Sequence, residues 1–133
     1  MYTFKKEERL CSRKLLDKLF HNGSSFILYP FRIIWLPSDE PVISAAQVVI
    51  EVPKRRFKHA ADRNLIKRRI REIYRLNKAN LLYEFLPADE TLLLGIGYIG
   101  KEIHEYSLLE EKLKKALNRL NQEIQQAKEG GKP

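Results

Sequence analysis

The sequence predicts an α+β fold in which helices pack on a mainly antiparallel sheet. Apolar positions recur at three- and four-residue spacing in separate stretches, the mark of helices with one face turned to a core. Between them lie FILYPFRIIWL, an apolar run ending at Val52, and LLLGIGYI, all bounded by turn formers and rich in strand-favouring residues. The resulting order of helix, strands, helix, strand, helix belongs to the α+β class. At 133 residues the chain is expected to form one domain over residues 1–127, with the terminal KEGGKP, residues 128–133, as a disordered tail.

Taken in order, Ser12 is placed to cap a short helix whose apolar positions are Leu15, Leu16, Leu19 and Phe20, stopped by Asn22-Gly23. The next run reads as strand with a break at Pro30, because proline cannot donate to a central ladder. Past the break, Phe31, Ile33 and Trp35 share one face and Arg32, Ile34 and Leu36 the other. Pro37 to Pro41 reads as a turn. Val42 to Val52 is nearly continuous in apolar residues, which predicts a central strand. A helix follows over about Ala60 to Asn77. Leu92 to Ile99 reads as a buried strand in which Gly95 and Gly97 mark close backbone approach. Ser107-x-x-Glu110 fits a capping box opening a last helix, with Leu109, Leu113, Leu117, Leu120 and Ile124 as its core stripe.

The charge is local. Lys54 to Lys78 holds eleven of the 25 Lys and Arg residues and only two acids, Asp62 and Glu72, whereas the whole chain is formally +8. At 100° per residue, Ile66, Ile70 and Ile73 form a stripe for the sheet, and Asn64, Lys67, Arg68, Arg71 and Arg75 occupy the opposite arc. Lys54, Arg55, Arg56, Lys58 and His59 extend this surface at the helix N-terminus, where backbone N–H groups also favour anions. Such a single-sign array, without the i,i+4 acid partners of a merely solvated helix, implies a polyanion, because each paired phosphate releases counterions. A membrane surface fits less well, since the face opposite the arginines is needed for the core.

No run of about 20 apolar residues could span a bilayer. A charged N-terminus and a lone cysteine, Cys11, lead to the expectation of a reduced, cytoplasmic protein. Zinc-finger spacing, an RRM signature and a GXXG loop are missing, so recognition of a folded RNA by shape and backbone suits the arginine face. The acidic pairs, Glu7-Glu8 among them, read as turn or helix-start residues. His21 and His104 read as surface residues, His59 as a possible RNA contact, and Trp35 as core.

Arg63-Asn64-Leu65-Ile66-Lys67-Arg68-Arg69-Ile70-Arg71 resembles the RNR signature of the bacterial ribonuclease P protein subunit, commonly R-N-R-x-K-R-x-x-R. Lys54-Arg55-Arg56 resembles that family's basic pair at the end of a central strand, and Phe20-His21-Asn22-Gly23-Ser24-Ser25 its F-x-x-G-x-S segment. The resemblance spans residues 8–122. It implies about four strands and three helices, with the basic helix in a left-handed βαβ crossover. It also implies a function: binding a catalytic RNA that, with Mg2+ held mainly by that RNA, removes the 5′ leader of precursor tRNA. No catalytic residue and no metal ligand would then lie in the protein, and one protein would serve one RNA. Carried over, the catalytic-RNA surface is Arg63, Asn64, Lys67, Arg68 and Arg71, with Arg55, Arg56 and His59 flanking and Arg75 adding to it. The leader cleft is Leu16, Phe20, Ser25, Arg32 and Ile34. Leu65 replaces the second arginine of the signature, with Arg69 and Arg75 near enough to compensate. Two other classes stay open: an RNA-binding module of ribosome or ribonucleoprotein assembly, and a stand-alone nuclease.

Overall fold

A computed structural model describes residues 4–38, 40 and 44–130. The first helix, α1, spans Arg13–Asn22, and the Ser12 hydroxyl accepts a hydrogen bond from the Leu15 N–H at 3.3 Å, the expected cap. Gly23 follows in extended backbone at φ −72°, so it does not supply a left-handed turn. It is needed for clearance: a Cβ there would sit 2.5 Å from the Leu19 carbonyl oxygen and 2.8 Å from Ile34 Cγ1.

The expected broken strand is a hairpin. β1 (Ser24–Leu28) pairs antiparallel with β2 (Phe31–Ser38) from Ser24↔Trp35 to Leu28↔Phe31, closed by Tyr29 and a cis-Pro30. Pro30 thus reverses the chain rather than interrupting one strand. Pro37 also departs from expectation, lying within β2 opposite Leu92 and not in a turn. β1 ends opposite Trp35, so a proline beyond that point can face an unpaired edge without costing a ladder bond. Residues 39 and 41–43, the rest of the expected turn and the start of the next expected strand, lie outside the described residues.

β3 (Ala46–Glu51) and β4 (Thr91–Tyr98) complete a sheet of order β1-β2-β4-β3. β4 pairs antiparallel with β2 and parallel with β3. The sheet is therefore mixed, and the run ending at Val52 forms an edge strand rather than the expected central one. The central place goes to β4, whose residues from Thr91 to Ile96 are all buried. β3 tolerates the edge because the N-terminal segment covers it: the Leu10 N–H donates to the Val48 carbonyl at 2.9 Å, and Arg9 forms an isolated bridge to Val48.

Between the parallel neighbours β3 and β4 runs α2 (Ala60–Leu81), the crossover helix, one turn longer than its sequence pattern suggests. α3 (Tyr106–Gly130) closes the chain. It begins before Ser107, so Ser107 lies inside the first turn instead of capping it, and it continues past Ala127, the expected end of the domain.

Alternation along the strands gives the sheet two unlike faces. Phe26, Phe31, Ile33, Trp35, Val48, Leu92, Leu94, Ile96 and Tyr98 meet Ile66, Ile70, Ile73 and Tyr74 of α2 and the leucine stripe of α3 in the main core. On the other face a smaller cluster of Leu10, Leu19 and Leu93, with Leu15, Leu16, Ile34, Leu36 and Val49 around it, seats α1. The rest of that face stays open.

One tie was not foreseen. Lys78, counted above with the basic stretch, is buried and donates to Glu8 Oε1. The Tyr83 hydroxyl donates to the same oxygen at 2.6 Å and the Lys5 N–H to Oε2 at 2.7 Å. Glu8 is structural, as expected: it lies in the short 3-10 turn Lys6–Glu8 and caps its start through the Lys5 N–H, and it is also the centre of this buried cluster.

Candidate nucleic-acid interface

The isoleucine stripe of α2 decides what its other side presents. Ile66, Ile70 and Ile73 are fully buried, which turns Asn64, Arg68 and Arg71 outward, all exposed, with Lys67 half-exposed beside them. Asn64 to Arg71 covers two turns, about 10 Å, enough to follow more than one phosphate. Lys54, Arg55, Lys58 and His59 are exposed in the preceding loop.

Other members of the expected surface are committed within the fold. Arg63 donates to the carbonyl oxygens of Phe57 at 2.7 Å and Lys58 at 2.9 Å, folding the basic loop back onto the start of α2. Arg56 donates to the Ile99 carbonyl at 2.6 Å, tying that loop to the end of β4. Arg69 donates to the His104 carbonyl at 2.9 Å. Arg75 grips Glu72 through Nε at 3.1 Å and Nη2 at 2.6 Å. These hydrogen bonds hold the Glu72 carboxyl below its ordinary range and raise the guanidinium. The two arginines expected to compensate for Leu65 thus already hold partners. The free charge sits at Lys67, Arg68 and Arg71, with Leu65 half-exposed at their edge.

On the opposite face of the sheet, Phe20, Arg32, Ile34, Glu51, Gly95, Ile96 and Gly97 line a groove of about 120 Å³ beside α1. Phe20 is 46% exposed, a large apolar side chain left for a partner. The structure thus brings together Phe20, Arg32 and Ile34 of the expected cleft. Leu16 instead packs into the small cluster that seats α1. Ser25 lies outside the lining, exposed on β1 opposite Ile34. Glu51, Gly95 and Gly97 were not expected in the cleft. Strand alternation from Val49 could have placed Glu51 on this face, and the two glycines had been marked as backbone-approach positions. At Gly95 that approach is real, since a Cβ would lie 2.6 Å from Ile34 Cγ2.

Among the described residues no group of three or more His, Cys, Asp or Glu side chains converges as metal ligands. His104, expected at the surface, is partly buried against the rings of Tyr29 and Tyr98. Cys11 is exposed. A separate apolar crevice lined by Trp35, Leu86, Leu92 and Ile124 lies at the far end of the sheet, away from both surfaces. No helix among the described residues is long and apolar enough to cross a membrane.

Residues 4–121 match the family model described as Ribonuclease P. The chain is 30% identical over 120 residues to the ribonuclease P protein component of Porphyromonas gingivalis, covering 90% of this chain and 87% of that one. It is 42% identical over 86 residues to the ribonuclease P protein component of Petrotoga mobilis, covering 63% of this chain and 70% of the relative. Among solved structures, the RNase P protein of Thermotoga maritima superposes with a TM-score of 0.66 at 25% identity, covering 84% of this chain and 96% of that one. The Staphylococcus aureus RNase P protein gives 0.67 at 19% identity, covering 85% and 94%, a likeness of fold.

Proposed function

The chain belongs to the ribonuclease P protein family, and from that premise we propose which of its surfaces meets which RNA. It acts as the protein component of a bacterial tRNA-processing endoribonuclease. The α2 face of Asn64, Lys67, Arg68 and Arg71, flanked by Arg55 and His59, docks on the catalytic RNA. Arg56, Arg63 and Arg75 shape that face, and their remaining N–H groups can reach phosphates at its margin. The groove holds the single-stranded 5′ leader of precursor tRNA, with Phe20 stacking on a base, Arg32 and Ile34 lining it, and Leu16 and Ser25 at its sides.

The observation that carries this reading is the separation of the two surfaces. Exposed, unpaired cations lie on the helix side of the sheet, and an open groove with an exposed aromatic lies on the other. A polyanion and a single strand ask for those two different things. In this reading Mg2+ is held mainly by RNA phosphates, and the protein's side chains position substrate and RNA. The same reading treats residues 1–127 as one domain serving one RNA in the cytoplasm.

Reconstitution tests it. The purified protein should cleave no precursor tRNA alone, and should raise cleavage by a bacterial ribonuclease P RNA at low Mg2+. Leader removal that survives digestion of all other RNA before substrate is added would instead make the protein a nuclease. Failure of both protein and mixture would favour an assembly module.

A further inference from the structure

The groove contains a pair of opposite charges outside the core, and its acidic member also borders a crevice lined by Lys67 of the basic helix. Arg32 and Glu51 are both exposed and both line it. Arg32 is registered with Gly97 on β4, and Gly97 with Glu51 on β3. Two strand spacings therefore separate their Cα atoms, about 10 Å, with no side chain between them. Neither side chain takes a hydrogen bond or ion pair from another described residue.

Gly97 is the informative member. A Cβ there would meet nothing nearer than the Arg32 carbonyl oxygen at 3.6 Å, an ordinary contact, and its φ is not positive. Packing and backbone would accept a side chain, unlike at Gly95. A glycine inside a strand weakens it, so a glycine without steric need keeps the floor low between two charged walls. Glu51 points the same way. A carboxylate in a groove for RNA repels phosphates, unless it accepts from base N–H groups.

Resting on the leader reading above, we infer that this saddle reads one guanine of the leader. Guanine offers O6 and N7 as adjacent acceptors, matched by the Arg32 guanidinium. Its N1–H and N2–H2 are adjacent donors, matched by the two oxygens of Glu51. Guanine alone of the four bases carries both pairs. The ring of Phe20, on the wall of the same groove, adds a stacking face that is indifferent to base identity.

The test uses holoenzyme assembled from the full chain and its catalytic RNA, given a pool of precursor tRNAs with randomised leaders. Relative kcat/KM is read for each base at each position, and because all leaders compete in one pool the ratios do not depend on how much holoenzyme assembles. The unaltered protein should favour guanine at one position by on the order of a hundredfold, the combined discrimination of two bidentate pairs. Glu51→Gln, which offers one acceptor and one donor, should reduce that preference about tenfold, leaving the share carried by Arg32. Gly97→Val, which raises the floor, should do the same while melting no earlier than the unaltered protein. No guanine preference at any position, or a Glu51→Gln variant that speeds all leaders equally, would overturn the inference. The arms separate it from the reading beneath it. If Phe20→Ala also leaves leader-bearing and mature tRNA affinities in their original ratio, the groove is not the leader site. If Phe20→Ala shifts that ratio and Glu51→Gln changes no base preference, only the guanine readout falls.

Discussion

Arg63 and Arg68 lie five residues apart on one basic helix and do different work. Arg63 spends its guanidinium on the carbonyls of Phe57 and Lys58, whereas Arg68 projects outward. Arg68→Ala should leave the melting temperature unchanged, weaken binding to the catalytic RNA and flatten its log–log salt dependence by about 0.7–0.9 per lost phosphate contact. Arg63→Ala should cost about 1–2 kcal/mol of stability, as charged hydrogen bonds to the backbone do, measured by urea unfolding. An unchanged salt slope for Arg68→Ala would place the RNA on another surface. The sequence could show that both residues are cationic and on the outer arc, but it could not separate them. Whether an arginine is free depends on which carbonyls the loop and α3 bring beside it, and those contacts are made only by the folded chain.

At the scale of elements, legibility follows the range of the forces involved. α1 and α2 are specified locally, by a cap, a stripe of apolar residues and a change of charge, and both lie where the sequence puts them. Ile70, wholly buried beneath α2, supports this directly. Ile70→Ala should destabilise by about 2–5 kcal/mol through lost burial and the cavity left behind, with binding per folded molecule retained. The strands behave differently. Which run is central depends on partners far along the chain: β3 carries an apolar run yet sits at the edge because β4, some forty residues later, inserts between it and β2. Pro30 was legible as a break but not as a hairpin turn, since the reversal needs β1 to find β2. Of the groove, Phe20, Arg32 and Ile34 were readable from the family pattern. Glu51 was missed because the expected cleft was drawn from the first helix and the FILYPFRIIWL run alone, although alternation from Val49 places it on the same face.

For the molecule as a whole, the Glu8–Lys78 tie decides how the N-terminal segment is held to the end of the basic helix. Burial pushes the Glu8 carboxyl up, but hydrogen bonds from Lys78, Tyr83 and the Lys5 N–H outweigh it and hold it below its ordinary value of 4.5. Burial also raises the Tyr83 hydroxyl, which keeps it a donor. A carboxyl depressed in the folded state stabilises fully above its unfolded pKa, and that contribution fades as pH falls through the folded value. Stability should therefore drop below about pH 4.5, and Glu8→Gln should lower it by about 3–5 kcal/mol at pH 7 while flattening the acid limb. Denaturant melts between pH 3 and 7 measure both. An equally steep acid limb in the variant would assign acid sensitivity to other carboxylates.

The open sheet face beneath α1 and the outward face of α2 are distinct surfaces that adjoin at the edge strand β3, where Glu51 and Lys67 line one crevice. RNA held on one side leaves the other side free, so the protein can grip both partners at once without dividing its charges between them. On the proposed assignment, a leader caught in the groove meets the catalytic RNA at an effective concentration set by the short span between the two surfaces rather than by the concentration of free substrate. Modest contacts on each face can in this way add up to tight capture of precursor, while the product, which has lost its leader, is held by one contact fewer and departs.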